Sequence, residues 1–148
     1  MSCSLRSLAV VLGVTLCSLC APVASVAATS RTVLGRRLVN RFITEVERHD
    51  VAGLRKFLSP SFQIQRADGS RRAKGPYLRN LPTILSYKLR YLFVTSRRGV
   101  LVATYQVAAN QVIEGKKFST GYQPRISVFV LSPGGWQVVA WANFNTPA

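Results

Sequence analysis

Residues 134–145 have the sequence GGWQVVAWANFN, in which a Gly-Gly turn precedes an apolar, β-prone run. This pattern predicts the closing strand of a sheet. Side chains alternate along a strand, so one face is predicted to carry Trp136, Val138, Ala140, Ala142 and Phe144, and the other Gln137, Val139, Trp141, Asn143 and Asn145. Because neither face is polar throughout, we expect both to be covered, one by helices and one by a partner or by the curl of the sheet.

Three more long strands are predicted upstream, joined by hairpin turns. The first places on one face Leu85, Tyr87, Leu89, Tyr91 and Phe93. The second ends before a turn at Glu114 and carries on one face Leu101, Ala103, Tyr105, Val107 and Ala109. The third, over 119–131, is expected to contain a bulge or kink near Gly121 and Pro124.

The first half of the chain predicts helices and one short strand. Apolar residues at helical spacing predict an amphipathic helix over 31–48, with Leu34, Leu38, Phe42 and Val46 on its buried stripe. Asp50 is placed to cap a second helix over 51–58. A short strand over 62–66 is followed by a basic loop, 70–75, and a small helix that begins at Pro76.

This order of elements predicts the fold class. Helices followed by antiparallel strands favour an α+β domain, in which a cone-shaped, curved antiparallel sheet carries helices packed on its concave face. Helices across the mouth of a cone enclose a hollow, and such a hollow is the usual place for a ligand.

Residues 1–28 resemble a secretory signal peptide, which leaves 29–148 as a single domain. Arg6 is followed by an uncharged apolar run and then by small residues, and cleavage is predicted after Ala27 or Ala28. The alternative is an uncleaved membrane anchor; Pro22 and an apolar core about half the roughly 20 residues of a membrane span argue against it. The prediction is an exported protein, periplasmic or secreted, that would meet a membrane only through this segment if it stayed uncleaved.

The composition is strongly basic and restricts the chemistry. A net charge of +15 predicts attraction to polyanions, with a general solubility charge as the alternative. All three cysteines, Cys3, Cys17 and Cys20, lie in the predicted signal segment, so the domain would have no thiol. One histidine and scattered acids do not form a metal-ligand set, and neither a metal nor a cofactor is expected.

The chain resembles the nuclear transport factor 2-like superfamily, in its SnoaL-like branch, over about residues 31–146. The resemblance rests on the element order, the helix junction 47–54 (ERHDVAGL), the turn 66–69 (RADG) and the closing GGWQVVAWANF. It implies the cone fold. The superfamily includes ketosteroid isomerases, polyketide cyclases, dehydratases and dimerisation domains, so the fold alone does not specify an activity.

The residues that the isomerase pattern uses are absent here. That pattern places a tyrosine in the first helix, a base aspartate in the first strand and a second acid later in the sheet. The corresponding positions hold Phe42, Arg66 and Ser127, which cannot perform those roles. His49 beside Asp50 offers a possible dyad, but a histidine at a helix end is more often stabilised there by the helix dipole. No catalytic residue is therefore predicted.

Polar aromatic and amide side chains are the candidate pocket residues, because each joins a large apolar area to one polar group. The predicted ligand pocket comprises Tyr77, Tyr87, Tyr91, Tyr105, Trp141, Asn143 and Asn145, with Arg66 at its rim. For any one tyrosine, ordinary core packing is the alternative. A separate anion surface is predicted at Arg71, Arg72 and Lys74.

Three functional hypotheses follow. The first is a non-catalytic, exported domain that binds a small amphipathic or anionic ligand or acts as a dimerisation module, and forms a homodimer through the outer sheet face. The second is a SnoaL-type cyclase, isomerase or dehydratase. The third is polyanion binding through the basic surface, with nucleic acid the least accessible polyanion to an exported protein.

Overall fold

The computed structural model of the protein describes residues 23–66 and 68–144. Most of the predicted signal segment, residues 1–22, and Asn145 lie outside this part of the chain. Residues 23–28 belong to the first helix, and cleavage after Ala27 or Ala28 remains a prediction. Among the described residues, no helix combines the length and apolar character that a membrane span requires.

The described part of the chain forms three helices, which carry the predicted apolar residues. Helix α1 spans Val23–Glu47, α2 spans Val51–Phe57 and α3 spans Lys74–Arg79. The inner stripe of α1 is fully buried and consists of Leu38, Val39, Phe42, Ile43 and Val46. Asp50 caps α2 as predicted, because its Oδ1 accepts the Gly53 amide at 2.8 Å.

Within residues 23–66 and 68–144, six strands form one sheet in the order β2-β1-β6-β5-β4-β3. Their bounds are Leu58–Gln65 for β1, Arg71–Ala73 for β2, Thr83–Arg97 for β3, Val100–Ile113 for β4, Lys116–Ser132 for β5 and Gly135–Asn143 for β6. The predicted α+β class, with a curved sheet and helices on one face, is confirmed.

Two features of the sheet differ from the prediction. Strand β1 pairs with β6 in parallel, whereas the other neighbouring strands are antiparallel. Part of the predicted basic loop is strand β2, which pairs with the end of β1. Both differences arise from pairing between residues far apart in the chain, which local alternation does not encode.

A bulge in β3 overturns the predicted single face of that strand. The register to β4 shifts between Arg90 and Phe93, and Tyr91 takes a positive φ of 54°. An extra residue exchanges the faces on either side of it. Tyr87 and Leu89 therefore pack against the core, whereas Tyr91 is 71% exposed and Phe93 is 66% exposed.

A second bulge changes the faces of β6. The register to β5 shifts so that Phe129 pairs with Val138 and Val128 pairs with Ala140. Val138 and Trp141, predicted on opposite faces, are therefore both buried. The predicted bulge in β5 is present: Val107 pairs with Gln123 and Ala109 with Thr120, which leaves an extra residue near Gly121.

The hydrophobic core lies between the helices and the concave face of the sheet. Aromatic rings connect the two layers: Phe57 of α2 lies 6.2 Å from Phe129 of β5, and Phe42 of α1 stacks on Trp141 of β6 at 4.0 Å. Burial of such rings dominates core energetics and fixes α1 over the sheet. A cavity remains at the end of the core near the β4–β5 turn.

Candidate ligand cavity

The cavity has a volume of about 70 Å³ and lies between α1, α3 and the sheet. Its apolar lining comes from Phe42, Ile43, Val46, Ile64, Pro82, Ile84, Val107, Ala109 and Ile113. Its polar or amphipathic lining comes from Arg66, Tyr77, Tyr87, Gln111, Arg125, Trp141 and Asn143. This volume suits a few water molecules or a short organic acid.

One wall of the cavity is a rigid aromatic stack. Phe42 lies between Trp141, at 4.0 Å, and Tyr77, at 6.2 Å with an interplanar angle of 12°. Phe62 supports Tyr77 from outside the cavity at 5.4 Å. Close-packed rings change rotamer only at a cost, so this wall is preorganised.

Arg66 places a buried guanidinium at the cavity. The residue follows β1 and is only 2% exposed, so the prediction that it lies at the rim is wrong. Its Nη1 donates to Glu114 Oε1 at 3.0 Å, and its Nη2 donates to the carbonyl of Asn80. Its Nε is buried and has no hydrogen-bond partner within the described chain. A buried donor left without an acceptor costs free energy, and an acceptor in the cavity would remove that cost.

Arg125 places a second guanidinium in the same cavity and was not predicted. It lies on β5 and is 4% exposed. Its Nη1 donates to the carbonyls of Pro124 at 2.9 Å and Phe144 at 3.2 Å. Burial lowers the pKa of Arg125, because desolvation disfavours its charged form. Among residues 23–66 and 68–144, the ion pairs are made by Arg41, Arg66 and Arg72, and none neutralises Arg125.

The sequence contains a signal for Arg125. Arg125, Ser127 and Phe129 alternate on the inward face of β5, and all three are buried. An arginine in phase with core residues predicts a buried charge, which is rare unless it is paired or binds a ligand. The nearby bulge obscured this phase, because it changes which residues of β5 face inward.

Glu114 is the carboxylate that contacts the buried guanidinium of Arg66. It lies in the β4–β5 turn, next to the cavity-lining Ile113. Its Oε1 accepts three donors: Arg66 Nη1 at 3.0 Å, Arg72 Nη2 at 2.9 Å and Asn80 Nδ2 at 3.2 Å. One oxygen thus connects the turn to β2 and to the end of α3.

The structure divides the predicted pocket residues. Tyr77, Tyr87, Trp141, Asn143 and Arg66 line the cavity. Tyr105 lies deeper, where its hydroxyl shares a 2.7 Å hydrogen bond with Ser127, and it does not line the cavity. Tyr91 points away from it into solvent because of the β3 bulge. Asn145 lies outside the described residues.

The buried phenols do not act as acids near neutral pH. Burial raises the pKa of both Tyr77 and Tyr105 well above its usual range, and only partial compensation comes from Arg66 in the first case and from Ser127 and Arg125 in the second. The two hydroxyl groups therefore remain protonated and serve as hydrogen-bond donors or acceptors.

The predicted anion surface is not a cluster of three free cations. Arg71 is exposed. Arg72 donates to Glu114 and, at 2.9 Å, to the carbonyl of Arg71. The ammonium group of Lys74 donates to the carbonyl of Leu58. Two of the three residues thus form contacts within the fold.

Among the residues that the structure describes, the cavity lining contains no carboxylate and no histidine. Glu47, His49 and Asp50 are exposed near the α1–α2 junction, and Asp68 forms a turn with Ser70. Within the described part of the chain, no group of three or more potential metal ligands occurs. The arrangement suits electrostatic binding of an anion better than proton transfer.

Neither the known family models nor the curated proteins include a match to this chain. Solved structures do match. An NTF2-like protein from Cytophaga hutchinsonii superposes with a TM-score of 0.69 at 12% identity, over 76% of this chain and 96% of that chain. An NTF2-like protein with a cystatin-like fold from Novosphingobium aromaticivorans superposes with a TM-score of 0.56 at 14% identity, over 81% of this chain and 84% of that chain. The association domain of C. elegans CaMKII superposes with a TM-score of 0.57 at 10% identity, over 80% of this chain and 98% of that chain.

Proposed function

We propose that this chain, which has the nuclear transport factor 2-like fold, is a non-catalytic domain of SnoaL-like type that binds a small anionic molecule in its cavity. The observation that supports the proposal is the pair of buried arginines, Arg66 and Arg125, that line one small cavity, together with the buried Nε of Arg66, which has no hydrogen-bond partner within the described chain.

The energetics favour an anionic ligand. Burying an ion costs several kcal/mol even after the protein relaxes, and an opposite charge with good geometry offsets that cost. Glu114 is shared among three donors, and Arg125 is bonded only to carbonyl groups in the contacts described above. A bound carboxylate would supply the missing negative charge through charge-assisted hydrogen bonds.

The cavity also indicates the size and character of the ligand. Its apolar walls require an apolar body beside the anionic group, and its volume of about 70 Å³ favours a short acid. Tyr87, Gln111 and Asn143 line the cavity and are partly exposed, so they lie where it meets solvent. A longer ligand would extend past these three side chains.

The enzyme alternative has less support. Acid–base catalysis requires a titratable group beside the substrate, and the described cavity lining offers no carboxylate and no histidine. Burial raises the pKa of the Tyr77 phenol, which disfavours loss of its proton. Phe42 and Arg66, at positions where the isomerase pattern places its tyrosine and its base, both line the cavity as binding or packing groups.

The test of ligand binding is a titration of wild-type protein and the Arg125→Met variant with acetate, butyrate and benzoate at constant ionic strength, followed by NMR. The wild type is expected to bind at least one of these acids, and R125M is expected to bind it at least tenfold more weakly, because about 1.4 kcal/mol of charge interaction is lost.

The matched control is Arg55→Met, which removes an exposed arginine from the last turn of α2. It should leave binding unchanged. The proposal is wrong if the wild type binds none of the three acids, or if R125M binds them as tightly as the wild type does.

We also propose that the domain forms a homodimer through the outer face of the sheet. Half-exposed apolar side chains lie side by side there: Val102 pairs with Val128, and Val128 pairs with Ala140. The structural match to an association domain supports self-assembly of this fold. An apolar patch on the helix-free face of a sheet is a typical interaction surface.

A further inference from the structure

We propose that Glu114 competes with the ligand for Arg66: its carboxylate does not itself line the cavity but holds the Arg66 guanidinium at Nη1, and this contact must weaken when a small monocarboxylate binds. This inference rests on the proposed anion-binding function. The direct observation is that Glu114 Oε1 already accepts a hydrogen bond from Arg66 Nη1, with 3.0 Å between the two atoms, while Nε of the same guanidinium has no acceptor within the described chain.

The two carboxylates compete through charge. An acid that reaches the partnerless Nε places a second negative charge against the guanidinium that already holds Glu114. Like charges this close repel, and inside a protein the repulsion is stronger than in water. Binding of the ligand therefore weakens the Glu114–Arg66 contact, and the presence of Glu114 weakens binding.

The geometry determines which partner moves. Arg66 is 2% exposed and is also tied to the carbonyl of Asn80. The Glu114 side chain is 43% exposed and lies in a two-residue turn, where Glu114 has φ 51° and Gly115 has φ 79°. A displaced Glu114 carboxylate can enter water without desolvation. Arg66 is enclosed by the fold, so it cannot move without breaking its hydrogen bond to Asn80.

The same geometry narrows the ligand class. Glu114 stays close to the cavity even when its carboxylate has left Arg66, so it would repel each negative charge that the ligand carries. Apolar groups from Ile64, Ile84 and Ile113 line the remaining walls. The site therefore favours a monocarboxylic acid with a short apolar body over a dicarboxylic acid of similar length.

The experiment compares wild type with the Glu114→Gln variant in NMR titrations with butyrate and with succinate at equal ionic strength. Glutamine keeps an oxygen acceptor for Arg66, Arg72 and Asn80 but removes the charge. E114Q is expected to bind butyrate about tenfold more tightly than the wild type, equivalent to one pKa unit of charge interaction. Succinate should gain more than butyrate, because it suffers more repulsion in the wild type.

Glu47→Gln is the charge-matched control, because it removes one exposed carboxylate at the end of α1. It should change binding less than twofold. Asn80→Ala is a milder second variant, which removes the 3.2 Å donor to Glu114 but keeps the Asn80 carbonyl that Arg66 uses. It should tighten butyrate binding about two- to threefold, since Glu114 is then held less firmly.

The outcomes separate the two proposals. If the wild type binds butyrate and neither E114Q nor N80A binds it more tightly, Glu114 is not a competitor, but the anion site stands. If neither the wild type nor E114Q binds any of the probes, the anion site itself is wrong.

Discussion

At the scale of single residues, Tyr105 and Ser127 form a closed hydrogen-bonded pair inside the core. Their oxygens are 2.7 Å apart, and both residues are buried. Removing one hydroxyl leaves the other without a partner, which costs about 1–3 kcal/mol, whereas removing both costs less than the sum.

The corresponding prediction is a double-mutant cycle. Tyr105→Phe and Ser127→Ala should each lower the free energy of unfolding by about 1–3 kcal/mol, and the double variant should show a coupling of about 1 kcal/mol. Urea denaturation measures all four proteins. Tyr91→Phe, at an exposed ring, should change stability by less than about 0.5 kcal/mol. Strict additivity in the cycle would contradict the pairing.

Single residues also show what sequence patterns miss at the site. Tyr77, Tyr87, Trp141 and Asn143 were predicted in the pocket from their chemistry, and all four line the cavity. Arg125 was not predicted, because a charged residue on a strand is ordinarily assigned to solvent. Its burial follows from its alternation with Ser127 and Phe129, and the bulge near Gly121 obscures that phase.

At the scale of elements, α2 is a short helix that begins at a side-chain cap. It spans seven residues, Val51–Phe57, and isolated helices of this length are unstable in water. Asp50 Oδ1 satisfies the Gly53 amide, and the carboxylate also lies at the positive end of the helix dipole.

Asp50→Ala should therefore lower the free energy of unfolding by about 1 kcal/mol. Thermal and urea unfolding provide the measurement. Asp50→Asn is the matched control and should cost only a few tenths of a kcal/mol, because asparagine is an equally favoured cap. Equal losses in the two variants would show that charge, and not the cap hydrogen bond, stabilises this end.

Local sequence patterns predict some elements of this fold and not others. The predicted helix α1, the capped α2 and the hairpin turn at Glu114 are all present, because each is encoded by neighbouring residues. The bulge at Tyr91 and the register shift opposite Val128 are not encoded locally, and each one moved aromatic or apolar side chains to the opposite face.

At the scale of the whole molecule, the outer sheet face is the proposed dimer interface. Val128→Glu places a charge in the middle of the patch formed with Val102 and Ala140. We expect it to convert a wild-type dimer to a monomer in sedimentation velocity, because an unpaired charge in an apolar interface costs several kcal/mol.

Val33→Glu is the control for added negative charge, because Val33 is an exposed residue of α1. Helix α1 packs on the concave face of the sheet, opposite the outer patch. It should leave the dimer intact. A wild-type protein that sediments as a monomer at tens of micromolar, or a V128E variant that stays dimeric, would exclude this interface.

The parallel pairing of β1 with β6 has a consequence for how the molecule acquires its structure. Strand β6 lies in the interior of the sheet, between the early β1 and the late β5. Strands β3, β4 and β5 are consecutive in the chain and can pair through hairpins. Strands β1 and β2 can join them only after β6 has paired with β5. Because the pairing of β1 with β6 joins residues far apart in the chain, we expect its formation to be a slow and late step of folding.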